Sequence, residues 1–301
     1  MAKPATKTPV PKSDQVPAVT TDDSTPAYLT NYEGARTNST IDRKRLVIPR
    51  IKLLQAISPE VEAFDNARPG TFWHNILNVE IGEDFRFIPI MNREHYILFA
   101  PRGDSRGPVL ARAPDGKNWD PADAEFEVKL KGIPKPVKWK TTKTVVSSGL
   151  DKFGSSIPGD PKSKPAATLI LEFLCYLPDH EDCSPAIISL ARSGVKRGAL
   201  LETQIQLRST KTPQFGQVYR STITKEEGDE GPYNNWSFLS DGRATQQQFT
   251  DVSELAEAFK SQDFAASGDE SLDEETREGY ATGGQGGGSS GERPSGGHKE
   301  Y

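Results

Sequence analysis

Residues 125–140, EFEVKLKGIPKPVKWK, alternate with period two on both sides of a Gly-Ile-Pro-Lys-Pro break. Before the break, Phe126, Val128 and Leu130 fall on one face and Glu125, Glu127, Lys129 and Lys131 on the other. After it, Val137 and Trp139 oppose Lys138 and Lys140. A period of two is the signature of a strand with one buried face, and a Gly/Pro-rich break between two such runs predicts a hairpin. The same alternation recurs along the chain. HYILFA (95–100) and AATLILEFLCYLP (166–178) read as buried strands, the second pairing with AIISLA (186–191) across a polar turn. FGQVYRSTIT and YNNWSFL, joined by the acidic KEEGDEGP, predict a further hairpin.

Helical spacing is rarer. DVSELAEAFKS places Val252, Leu255, Ala256 and Phe259 on one stripe, with Asp251 as the expected N-cap. ARSGVKRGALLETQIQL reads as a second helix with Val195, Ala199 and Leu200 inward, despite Gly194 and Gly198. GLDKFGSSIPGDPKSKP (149–165) has the composition of a long surface loop. The expected fold is mainly β (α+β): eight to ten strands in an OB-like small barrel or curved antiparallel sheet, with one or two helices.

Only 34% of the 301 residues are hydrophobic, which points to polar ends around an ordinary core. Three segments are expected: a disordered N-terminal arm (1–45), a β-rich domain (46–262), and a disordered, acidic then Gly-rich tail (263–301). The formal charge is −5. From Asp263 onward nine acids face three bases, a net −6, so the chain before it is close to +1. A near-neutral body with an acidic tail leaves room for a local basic face that attracts phosphate. No apolar run is long enough to span a membrane, and two cysteines suit a reducing compartment, so a cytoplasmic protein is expected.

Motifs for catalysis are scarce. Walker A, Gly-x-Gly-x-x-Gly, His-Glu-x-x-His and Gly-x-Ser-x-Gly patterns are missing, and only four histidines occur. Cys175, His180 and Cys183 are the best-spaced metal donors, but they lack the usual Cys-x2-Cys half-site and read as one strand and one turn cysteine. The Asp120 and Asp123 carboxylates and the Arg-Gly-Asp triplet at 102–104 read as turn chemistry. No catalytic residue, metal or cofactor is assigned.

What remains is cationic and aromatic, the combination that holds single-stranded nucleic acid: cations track phosphates and rings stack on bases. The candidate cations are Lys129, Lys131, Lys135, Lys138, Lys140 and Lys143, with Arg192, Lys196 and Arg197 on the glycine-containing helix. The candidate rings are Trp119, Tyr219 and Trp236; Trp139 shares its strand face with Val137 and is expected in the core.

The ordered blocks LVIPRIKLLQAISPEV, ARPGTF, NWDPADAEFEVKL, SSGLDKFGSS, KPAATLILEFLCYLP, ARSGVK and PQFGQVYRSTIT, spanning residues 46–250, resemble an uncharacterised family of tailed-phage and prophage proteins. More loosely, the organisation is similar to that of phage single-stranded DNA-binding proteins of DNA replication and recombination. That similarity implies an OB-fold body with a basic cleft and an acidic tail that docks polymerase or helicase. Asp269, Glu270, Asp273, Glu274, Glu275 and Glu278, with the terminal Tyr301, would form the docking element, although the last twenty residues are Gly-rich rather than acidic. A homodimer is compatible with this reading. The function expected is therefore non-specific single-stranded DNA binding without catalysis; a non-enzymatic virion or assembly protein is the alternative, and a metal-dependent nuclease a third.

Overall fold

The structure is a computed structural model that describes residues 47–101, 104–228 and 231–260. The expected N-terminal arm and acidic tail, including Asp269 to Glu278 and Tyr301, lie outside the described residues. Among the described residues eleven strands form: β1 (Arg50–Leu53), β2 (Phe72–His74), β3 (Val79–Gly82), β4 (Phe85–Phe99), β5 (Val109–Ala113), β6 (Glu125–Val128), β7 (Val137–Lys140), β8 (Ala167–Tyr176), β9 (Ala186–Ala191), β10 (Gln217–Gly228) and β11 (Gly231–Arg243). Four α-helices accompany them among the same residues: α1 (Pro59–Ala63), α2 (Val145–Ser148), α3 (Ser193–Arg208) and α4 (Gln246–Lys260). The two beyond expectation, α1 and α2, are about one turn each.

Nine strands make one sheet in the order β11-β10-β4-β8-β9-β1-β2-β3, with β5 on β4, and β6–β7 form a separate hairpin. The sheet is curled into a half-barrel, so the mainly β expectation holds in its curved-sheet form. Its pairs are antiparallel except β1 with β9. Curling brings strands from opposite ends together. The Phe72 ring of β2 lies 4.7 Å from that of Trp236 on β11. Beside them, the Gln55 side-chain amide donates to the Asn234 carbonyl (2.9 Å) and accepts from the Asn234 N–H (3.0 Å), as a strand neighbour would. The concave core holds Phe72, Phe85, Phe87, Phe173, Tyr219, Trp236 and Phe238, closed by Leu201 and Ile205 of α3. On the other face, α4 packs Val252 and Ala256 onto Ile88, Ile90, Leu174 and Val218.

Both long helices depart from expectation in detail. α4 begins five residues before Asp251, because Thr245 and Gln248 exchange hydrogen bonds that cap it (3.0 and 3.3 Å). α3 buries Gly194, Gly198, Leu201 and Ile205, whereas Leu200 and Ala199 face outward. The glycines cause the rotation: a Cβ on Gly198 would lie 2.9 Å from Leu171 Cδ1 and 3.0 Å from Leu190 Cδ1. The bare backbone there lets the helix sit directly on the sheet, and the apolar stripe follows the glycines.

His74, buried at the end of β2, sets a pH dependence. Its Nδ1 accepts the Leu77 N–H (3.0 Å), and burial pushes its pKa below the usual 6.5. The unfolded chain then binds the extra proton first, so His74 favours folding above pH 6.5 and loses that contribution as pH falls through the native value. Stability is expected to fall between pH 7 and 5 at up to about 1.4 kcal/mol per pH unit from this group. Urea titrations of wild type and His74→Leu at both pH values check this, with a flatter dependence in the variant.

Candidate nucleic-acid interface

The candidate strip belongs to a lobe inserted between β4 and β8, comprising β5, the β6–β7 hairpin, α2 and the loop 149–165. It has its own core: Trp119, Val128, Val137, Trp139, Val145 and Leu150 gather on Leu98, Ala111 and Ala167 of the main sheet. The hairpin register pairs Glu125 with Lys140, Phe126 with Trp139, Glu127 with Lys138 and Val128 with Val137. The inner row is half-buried Phe126 with buried Val128, Val137 and Trp139, and the outer row carries only charges.

That register changes the electrostatics of the strip. Lys129, Lys131, Lys135, Lys138, Lys140 and Lys143 are all exposed. Lys138, however, donates to Glu125 (2.8 Å), and the pair holds the Glu125 carboxyl below its usual range while raising the lysine. Lys140 lies opposite Glu125 and adds to the same effect. The ladder proper therefore carries two acids against two lysines. Lys129, Lys131, Lys135 and Lys143, beyond its ends, are the cations not matched in this way.

Across the whole lobe a bias survives. Between Asp104 and Lys164 twelve Lys and Arg stand against eight Asp and Glu, a net +4; the other described residues carry fourteen against eighteen, a net −4. Dividing charge by inserted segment, rather than only body from tail, would have found this in the sequence.

The candidate rings are buried, Trp119 in the lobe core and Tyr219 and Trp236 in the concave core. Trp119, Tyr219 and Trp236 are 4%, 0% and 7% exposed. Their faces are spent on packing: Tyr219 stacks on Phe87 at 5.8 Å, and Trp119 donates Nε1–H to Ser148 Oγ (3.1 Å). Trp236 lines a cleft with Arg50 and Asn235. None of the three offers a face for a base to stack on. Trp139, 1% exposed, donates to the Ser156 carbonyl (3.1 Å) and is core as expected.

The helix cations form a separate set. Arg192, at φ +53°, precedes α3 and lines a cleft of about 210 Å³ with Arg50, Lys52, Gln55, Asn235 and Trp236. Lys196 is exposed. Arg197 is committed: it ion-pairs with Glu226 of β10, which also accepts from Tyr233 (2.7 Å) and Asn235 (3.0 Å). These donors lower the Glu226 pKa to about 2, so the clamp stays ionised at working pH. α3 rests on the concave core and the hairpin on the lobe core.

Among the described residues no three His, Cys, Asp or Glu side chains are gathered as metal ligands, and no helix is long and apolar enough to cross a membrane. Cys175 and Cys183 are free thiols in the concave core.

No curated protein and no solved structure matches this chain. The Pam3 phage gp34-like protein family matches residues 18–265, well over half of the sequence. On that coverage the chain, with its curled sheet and inserted basic lobe, belongs to the Pam3 phage gp34-like family.

Proposed function

We propose that this phage-family protein binds single-stranded DNA without catalysis, through the inserted lobe, in phage DNA replication or recombination. The observation that carries the reading is the division of charge: +4 on the lobe against −4 on the other described residues. A polyanion is drawn to one side of such a body and repelled by the remainder. Lys129, Lys131, Lys135 and Lys143 are the principal phosphate ligands, with Lys138 and Lys140 contributing less because Glu125 and Glu127 lie opposite them. The acidic tail would compete for the same lobe and dock replication partners such as a polymerase or helicase.

Contact with about five phosphates gives a log–log salt slope of roughly −3.5 on oligo-dT, at about −0.7 per phosphate. Changing Lys129, Lys131, Lys135 and Lys143 to glutamine is expected to flatten that slope by up to about 2.8. Fluorescence anisotropy across a salt series reads both values, and no binding at low salt overturns the proposal.

A virion or assembly role is the second reading. Leu200 and Leu207, seven residues apart on α3, are 51% and 71% exposed and would suit a protein partner. Copurification with particles, combined with indifference to oligonucleotides, would favour it.

A further inference from the structure

The lobe does carry an exposed ring. Phe153 is 75% exposed, the most exposed large hydrophobic side chain among the described residues. It lies in the loop 149–165, whose Gly/Pro content marks a turn and says nothing about a ring. We propose that Phe153 is the base-stacking residue of the lobe, taking an unpaired base of single-stranded nucleic acid while Lys152, Lys162 and Lys164 hold the flanking phosphates. This deepens the DNA-binding reading above and rests on it.

The geometry of the loop supports this assignment. Lys152 N–H donates to the Gly149 carbonyl (3.2 Å), which caps α2, and Gly154 N–H donates to the Ser163 carbonyl (2.7 Å). Ser156 N–H donates to the Lys164 carbonyl (3.2 Å), so Phe153 leads directly into a neck whose opposite strand carries Lys162 and Lys164. Ser155 Oγ donates to the Leu150 carbonyl (2.9 Å) and accepts from Ala166 N–H (3.0 Å). Beneath, the Trp139 indole holds the Ser156 carbonyl. Gly154 has φ +87°, and a Cβ there would lie 3.2 Å from Pro161 Cα, so the neck is closed at backbone contact. The ring is thus presented from a pinned loop.

A pinned aromatic held out in water gives up the burial energy a phenyl ring normally contributes. Nearby acids leave the cations in excess: Asp151 and Asp160 stand against Lys152, Lys162 and Lys164, and Asp160 is turned to the Lys162 backbone N–H (3.0 Å). A ring bordered by lysines suits a base with its two phosphates, because stacking supplies sequence-tolerant affinity and the cations supply the salt dependence.

The test compares full-length wild type, Phe153→Ala, Phe153→Trp and the Lys152/Lys162/Lys164→Gln triple variant on oligo-dT across a salt series. Phe153→Ala is expected to weaken binding by about 5- to 150-fold with an unchanged salt slope. The triple variant should flatten the slope by about 0.7 to 1.4, one or two phosphates' worth. Phe153→Trp should keep affinity and add fluorescence that DNA quenches, a clean signal because all four native tryptophans are buried. Thermal melts of Phe153→Ala should match wild type, which separates lost stacking from lost folding. If wild type binds and Phe153→Ala binds equally well, the stacking assignment falls and DNA binding stands. If wild type fails to bind at low salt, both fall.

Discussion

Replacing Glu172 with glutamine is expected to lower the free energy of unfolding by about 3–5 kcal/mol, the cost of removing one partner from a buried ion cluster. Glu172 sits in the middle of β8 and is fully buried. Its carboxylate accepts from Arg93 of β4 (2.6 and 2.8 Å), from Arg50 of β1 (3.1 Å) and from Ser189 Oγ of β9 (3.1 Å). Arg93 and Ser189 are its direct cross-strand neighbours on either side, so four strands meet at one side chain. Glutamine keeps the shape but removes the charge that two poorly exposed guanidiniums face, and its amide N–H2 cannot accept from them. Solvent cannot make up the difference at a site this buried.

The consequence reaches the centre of the half-barrel. β1 and β9 form the sheet's parallel pair, with Arg50 paired to Ile187, and Arg50 and Ser189 both line the cleft at the start of α3. Urea unfolding of Glu172→Gln should show a lower midpoint with an unchanged m-value, and hydrogen exchange should quicken first in β1 and β9. A loss below about 1 kcal/mol would mean that the arginines find equivalent partners and the cluster does not organise the sheet.

The sequence makes Glu172 visible but not its role. A lone acid inside LILEFLC is evidently buried, yet its arginines lie 122 and 79 residues away. Local patterning was enough for most strands: the alternation at 125–140, the apolar run of β8 and the runs on either side of KEEGDEGP all give strands where expected, although β10 and β11 extend further, to Gly228 and from Gly231. It failed where an element's face depends on what it packs against. α3 presents glycines to the sheet because Leu171 and Leu190 already fill the space, and an apolar count over the helix favours the wrong stripe. The lysine strip suffered likewise. Between Lys129 and Lys143 there is no acid, and the hairpin register decides that Lys138 and Lys140 face Glu127 and Glu125. Phe153 went unnoticed for the opposite reason, since Gly/Pro-rich composition identifies a loop without telling which of its side chains the loop displays.

Trp139 shows how these levels join, and Trp139→Ala is the second large effect expected. Deleting a fully buried indole costs about 3–5 kcal/mol, from lost transfer energy and the cavity left behind. Here the damage should concentrate in the lobe. Trp139 lies opposite Phe126 in the hairpin, packs within the lobe core, and holds the Ser156 carbonyl that anchors the Phe153 loop. Limited proteolysis of Trp139→Ala should cut first between residues 104 and 164, while the concave core of Phe72, Phe87 and Trp236 stays protected. The proposed DNA binding should fall with the lobe, because the pinned loop and the lysine spacing go together. Trp139→Phe separates the causes. It keeps most of the apolar volume and leaves the Ser156 carbonyl without its donor, a loss of about 1–3 kcal/mol. If Trp139 stacked on a base, the phenyl variant would retain stability and lose only affinity. As a core residue it should do the reverse at low temperature, where the lobe still folds: binding close to wild type, with a lower melting temperature. Anisotropy titrations at 10 °C beside thermal melts of both variants distinguish the two outcomes.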